Sequence, residues 1–214
     1  PEAEHEADAL RFWDGDGAVR CFRAMSLPDT TVLLLERCVP GMQLSTVPEP
    51  EQDQIVAALA RRLHQRVPGA GHPFRSLTEI CDDWADALER EGNGDLEEGL
   101  RSEGVALFRE LPRTARSEAL LCTDLHAGNV LSSEREPWLV IDPKPFIGDP
   151  AFDAVQHMLN CDQRLAADPL ALVARTASLL DVDPERVRLW LFARCAQESV
   201  DSAAMVELAR RLAP

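Results

Sequence analysis

Apolar positions at Ala3, Ala7, Leu10 and Trp13 recur at helical spacing behind acids in the first turn. They predict an opening helix over 2–13, ended by Gly15 and Gly17. Two strand-like runs, 18–24 and 31–37, flank Ser26-Leu27-Pro28-Asp29 and predict a hairpin. Leu33, Leu34 and Leu35 read as buried on both faces, and the apolar pattern then breaks at Cys38-Val39-Pro40-Gly41. Beyond that break the pattern is mostly helical. The stretch 51–66 puts Ile55, Leu59, Ala60 and Leu63 on one face, and 68–73 is a loop. A helix over 77–91 is stopped by Gly92-Asn93-Gly94, and Asp95 is predicted to cap another that runs to Leu111 before Pro112. Helices are also predicted over 151–160, from Asp168-Pro169, from Asp183-Pro184-Glu185 and over 201–212, two of them with Pro at the first helical position.

One stretch departs from the helical pattern. Residues 118–122 form a short apolar run, Val130-Leu131 resumes it, 132–137 is polar and turn-like, and 138–141 is aromatic and β-branched. Two short strands around a turn would bring Asn129 and Asp142 close together. The segment 143–150 reads as a loop. Within this stretch, Cys122-Thr123-Asp124-Leu125-His126-Ala127-Gly128-Asn129 places an Asp and an Asn five residues apart on a Gly-containing loop, and Asp142 follows the second strand. That is the donor set phosphoryl transfer needs. One carboxylate takes the proton of an attacking hydroxyl, and an amide oxygen and a second carboxylate hold Mg²⁺ against phosphates.

Composition narrows the classes. The 214 residues can bury a sizeable core, and 45% apolar residues are ordinary for a globular chain. No apolar run approaches the roughly 20 residues that span a bilayer, so no membrane partner is expected. Six scattered Cys without a C-x-x-C pair suggest reduced thiols in a cytoplasm. The net charge of −15 disfavours nucleic acid and suits a small cationic substrate. Asp82, Asp83, Asp86, Glu97, Glu98, Asp162, Glu198 and Asp201 either pair with such a substrate or form a solvated acidic face. The other histidines, His5, His64, His72 and His157, are too dispersed to suggest a metal site. The pattern leaves the oligomeric state open.

The Asp124–Asn129 loop and the Asp142 segment resemble the catalytic and metal motifs of the aminoglycoside phosphotransferase family, which shares the protein-kinase-like fold. The longer run from Val140 through Ile-Asp-Pro-Lys-Pro-Phe-Ile-Gly-Asp-Pro-Ala-Phe to Asp153 is similar to the branch of streptomycin 6-phosphotransferases and hydroxyurea phosphotransferases. The resemblance extends over residues 2–196. It implies an α+β, protein-kinase-like chain: a partial small β lobe over 1–40 (helix, hairpin and hinge) and a mainly helical catalytic lobe over 41–214. It also implies ATP and Mg²⁺ as cofactors, Asp124 as the base, Asn129 and Asp142 as metal ligands, and Asp153 as a buttress of the catalytic loop. At the hinge it implies adenine contacts by the Glu36 carbonyl and Cys38 N–H, with Leu35 behind the ring. Glu6, with Glu4 as second candidate, matches the ion-pair partner of a strand Lys.

Two residues keep alternatives. His126 either donates to the γ-phosphate or is satisfied by a backbone carbonyl, and Lys144 either faces the phosphates or pairs with Asp149. The family has His-Gly where this chain has Cys122-Thr123, a change that bears on loop geometry. Lys144 is the one Lys of the chain, and no Gly-rich strand pair is present. By resemblance, then, the chain is amino-terminally truncated, opens inside the small lobe, and would be poorly active as these residues alone. The activity implied is transfer of a phosphoryl group to a hydroxyl of a small antibiotic, streptomycin first. Alternatives are hydroxyurea or another small metabolite as acceptor, or a module that binds the antibiotic without turnover.

Overall fold

A computed structural model of the protein describes residues 5–28, 30–90 and 95–214. Residues 2–4, Asp29 and the Gly92-Asn93-Gly94 stop lie outside the described residues. The opening helix is seen as α1 (Glu6–Trp13), which buries Ala9, Leu10 and Trp13 and closes on a left-handed Asp14. Strands β1 (Cys21–Leu27) and β2 (Thr30–Leu35) form the expected antiparallel hairpin, Cys21 opposite Leu35. Burial of its leucines on both faces does not occur: Leu34 is 60% exposed and Phe22 63%. The ribbon has two strands and its side chains alternate, so at most one face can reach the body.

The chain then runs through β3 (Pro40–Gln43), α2 (Glu49–Leu63), β4 (Arg75–Ser76), α3 (Leu77–Arg90) and α4 (Glu98–Glu110). Asp95 does not cap α4. The helical ladder starts with Arg101 N–H donating to the Glu97 carbonyl at 3.0 Å, two residues further on. Next come β5 (Ala119–Leu121), β6 (Val130–Ser133), β7 (Trp138–Val140) and β8 (Phe146–Gly148). The last of these falls inside the segment expected to be a loop. It pairs antiparallel with β5 and parallel with β4. Three residues among Pro143, Pro145 and Pro150 are too few to show an alternation. Gly148 allows the sheet to lie on α3, because a Cβ there would come within 2.5 Å of the Leu77 Cβ.

The remainder is α5 (Asp153–Leu159), α6 (Asp162–Ala167), α7 (Pro169–Leu180), α8 (Pro184–Glu198) and α9 (Ala203–Leu212). The predicted starts of α7 and α8 are seen: Asp168 accepts from Ala171 N–H and Asp183 from Glu185 N–H, each at 3.0 Å. The six-residue α6 was not expected. Helix α8 is the centre of the core, with Trp190, Leu191, Phe192, Ala193, Cys195 and Ala196 all buried. A polar cluster ties α2 to α5, α6 and α7. Asp53 accepts from Arg164 (2.8 Å) and Arg175 (2.6 Å), and lies 3.1 Å from His157 Nε2. Burial alone would raise this carboxyl, but the three partners hold it far below the usual carboxylate range. Asp53, His157 and Cys161 offer atoms within 4.8 Å of one another, a convergence the scattered sequence positions hid. Two guanidiniums already occupy the Asp53 oxygens, so the cluster is an ion-pair network.

Candidate active site

β5 delivers the chain to a turn held from behind by Asp153. This fully buried carboxylate accepts from Cys122 N–H (2.9 Å) and Thr123 N–H (2.8 Å), and lies 2.8 Å from His64 Nε2 of α2's C-terminal end. Thr123 has φ +49°, which is costly for a β-branched residue. Its hydroxyl donates to the Lys144 carbonyl at 2.5 Å, and Lys144 N–H donates to the Cys122 carbonyl at 2.9 Å. The left-handed backbone accounts for the Gly that the resemblance has at this position. Burial pushes the Cys122 thiol well above its ordinary value, so it serves as packing.

Asp124 follows, with its side chain 30% exposed. Asn129 Nδ2 donates to its carbonyl at 3.0 Å and to its carboxylate at 3.2 Å. With the amide nitrogen committed there, the Asn129 oxygen is the end left to bind a ligand. Between them, a 3₁₀ turn at Ala127–Asn129 is capped by His126, whose Nδ1 accepts from Gly128 N–H at 3.1 Å. The backbone partner is an N–H rather than the expected carbonyl. A Cβ on Gly128 would lie 2.7 Å from that ring, so only Gly permits the cap. Burial lowers the His126 pKa, against an opposing pull from Asp124. The neutral ring keeps its proton on Nε2, 3.8 Å from the Asp124 carboxylate.

β6 and β7 close the site. Val130 pairs with Val140, and Ile141 N–H donates to the Asn129 carbonyl at 2.9 Å, which sets Asn129 and Asp142 side by side as the strand pattern predicted. Asp142 is left-handed, φ +52°, with its side chain 49% exposed. Lys144 pairs with its carboxylate. The alternative partner Asp149 is taken by Arg186 and by Trp190 Nε1 at 2.7 Å. Val140 also bonds Gly17 and Val19, tying β7 to the segment after α1. Glu6 therefore faces the same place: burial first, then Asp142, raises its carboxyl, while Lys144 opposes.

Leu35, Glu36 and Cys38 lie together, half-buried, where β2 leaves the hairpin. The Glu36 carboxylate accepts from Arg135 at 2.7 and 2.8 Å, which lowers its pKa. Arg135 also reaches the carbonyls of Gly15 and Ala18, so the end of β2 is fastened to the loop after α1. Burial raises the Cys38 thiol.

Sequence patterns missed the cavity of about 210 Å³ that adjoins Asp124, Thr123 and Lys144. Its apolar wall is Leu77, Ile80 and Trp84 of α3 with Phe146 and Phe152. Its polar side is Gln156 of α5 with Arg194 and Gln197 of α8. The Arg194 guanidinium lies 4.8 Å over the Trp84 ring and donates to Glu198 at 2.5 Å. None of the eight acids expected to draw a cation lines this cavity. Asp82 pairs with Arg113, Asp86 with Arg109 and Glu97 with Arg210, all on the surface. A usable signal was present in α8: Arg194 and Gln197 break the apolar run that begins at Leu189.

Residues 1–207 match the family described as aminoglycoside/hydroxyurea antibiotic resistance kinase. The chain belongs to this family. It is 35% identical over 204 residues to a hydroxyurea phosphotransferase of Kitasatospora aureofaciens, an alignment covering 92% of this chain and 57% of that one. It is 33% identical over 200 residues to a streptomycin 6-kinase of Streptomyces griseus, covering 89% and 64%. The chain thus spans less than two thirds of the length of these resistance kinases. Among solved structures, a thermostable mutant of aminoglycoside phosphotransferase APH(4)-Ia in ternary complex with ADP and hygromycin B superposes with a TM-score of 0.61 at 13% identity, covering 98% of this chain and 83% of that one. The fold is protein-kinase-like, mixed α and β as expected. No helix among the described residues is long and apolar enough to cross a membrane.

Proposed function

We propose that the protein is an ATP- and Mg²⁺-dependent phosphotransferase acting on a hydroxyl of a small-molecule antibiotic. The observation that carries this reading is the convergence of Asp124 and Asn129, hydrogen-bonded on the loop that joins β5 to β6, with Asp142 at the end of β7. The names of the relatives, and the ADP held by the structural neighbour, support it. The donor set fits the metal. Lys144 already places a cation on Asp142, and Asn129 has an oxygen to spare. Asn129 and Asp142 would hold Mg²⁺, which would neutralise and orient the phosphates.

Asp124 accepts the proton of the acceptor hydroxyl as its oxygen bonds to the γ-phosphorus. The bond from that phosphorus to the bridging oxygen breaks, and ADP leaves with the electron pair. Neutral His126 points its Nε2–H toward this space as a hydrogen-bond donor. The hinge backbone at Glu36 and Cys38 reads the adenine edge with Leu35 behind it, and Glu6 orders a phosphate-binding cation. The six free thiols suit a reducing, cytoplasmic setting.

The test is acceptor-dependent ADP formation by the full-length protein with streptomycin and with N-hydroxyurea, in ATP and Mg²⁺. Phosphorylated acceptor is expected. Acceptor binding by calorimetry without ADP formation would replace the enzyme by a binding module.

A further inference from the structure

We propose that the Lys144 ammonium competes with a divalent cation for the Asp142 carboxylate, and that phosphate oxygens end the competition by taking the ammonium over. Lys144 thereby makes metal binding and nucleotide binding depend on each other. The inference rests on the phosphotransfer reading in taking Asp142 as a metal ligand.

The position of Lys144 carries the argument. Its Nζ donates to the Asp142 carboxylate and lies 3.4 Å from the Asp142 carbonyl oxygen. The same side chain lines the cavity beside Asp124, so it borders both the metal ligand and the base. Its backbone is pinned to the catalytic turn. Lys144 N–H donates to the Cys122 carbonyl at 2.9 Å, and the Lys144 carbonyl accepts from the Thr123 hydroxyl at 2.5 Å. Only the side chain can answer a change of charge. Of the two cations lining the cavity, Arg194 is stacked on Trp84 and bonded to Glu198, which leaves Lys144 as the one to move. Glu6 faces the same place, its carboxyl raised by burial and by Asp142 and pulled back by Lys144, so one ammonium balances two carboxylates.

A divalent ion and an ammonium on one carboxylate repel each other. Metal arriving alone must displace Lys144 and leave its ammonium without a counter-charge. A triphosphate removes that cost, because its oxygens accept from the ammonium while they also ligate the metal. The Asp142 side chain is 49% exposed, and exposed ion pairs are worth little, so the competition is modest in size.

The experiment titrates Mn²⁺ into the full-length protein by electron paramagnetic resonance, first without nucleotide and then with a non-hydrolysable ATP analogue. Neither arm needs turnover. Lys144→Met should tighten Mn²⁺ binding without nucleotide by roughly 3–10-fold. The factor by which the analogue strengthens Mn²⁺ binding should shrink by at least as much. Lys144→Arg keeps a cation on Asp142 and should keep the weaker binding of the wild type. A lysine that only braced the loop would cost metal affinity when replaced, so a gain separates competition from a structural role. Nucleotide-free Mn²⁺ binding that is unchanged or weaker in Lys144→Met overturns the proposal. So does a gain of the same size with and without the analogue. If the wild type binds no Mn²⁺ in either arm, the metal-site reading falls. Binding that then appears in Lys144→Met upholds Lys144 as the competitor at Asp142, and continued absence of binding overturns it. Should Lys144→Met fail to fold, Lys144→Gln, also uncharged, carries the same expectations.

Discussion

Between Leu121 and Lys144 the site is held mostly by backbone. Asp153 grips two consecutive N–H groups, Thr123 and Asp142 sit in the left-handed region, and His126 caps a three-residue turn through Gly128. The cavity facing Asp124 is held by side chains instead. Trp84, Phe152, Gln156, Arg194 and Gln197 come from separate elements that meet only in the folded chain. The loop can keep one geometry while the wall changes, because Asp153, the helix residue that grips it, does not line the cavity. On the proposed reading, the chemistry falls to the loop and the choice of acceptor to the wall.

The largest effect expected from breaking the loop is at Asp124. Asp124→Asn in the full-length protein should cut kcat by roughly 10²–10⁴ for every acceptor alike. A loss confined to one acceptor would make Asp124 part of the selective wall. Asp153→Ala comes next, read on stability. It strands Cys122 N–H, Thr123 N–H and the His64 ring together, so we expect a loss of about 3–5 kcal/mol in chemical denaturation. A loss below about 1 kcal/mol would mean that the turn holds itself.

The smallest effect is a pH slope from His126. Its folded pKa lies below the ordinary 6.5, so the unfolded chain binds its proton more readily. Its contribution to stability is full above about pH 6.5 and is lost as the pH falls through the lower folded value. His126→Gln should flatten that part of the stability curve. An unchanged slope would assign it to other groups.

How much of this was legible in the sequence follows the same division. The Asp124–Asn129 loop and Asp142 were readable because the chemical groups and the strands that set them side by side are near neighbours in the chain, whereas Asp153, which grips the loop from a distance, was placed only by the resemblance. The caps at Asp168 and Asp183 were readable for the same reason. β8 was not, since its partners β5 and β4 are distant and its three residues show no period. Nor was the cavity wall. The eight acids left open both a cation site and a solvated face, and Asp82, Asp86 and Glu97 turn outward to arginines that composition could not pair with them. Lys144 found Asp142 rather than Asp149 because Arg186 and Trp190, both on α8, reach Asp149 first.

The central claim is that one loop supplies a base while its neighbour holds metal and nucleotide. Nucleotide affinity, titrated against Mg²⁺, tests it in full-length Asp142→Ala and Asp124→Asn proteins side by side. Asp142→Ala should lose the Mg²⁺-dependent part of the affinity, by more than the roughly 10–100-fold that a supporting residue costs. Asp124→Asn should keep it. A Mg²⁺ dependence that survives in Asp142→Ala, or vanishes equally in both, would contradict the account.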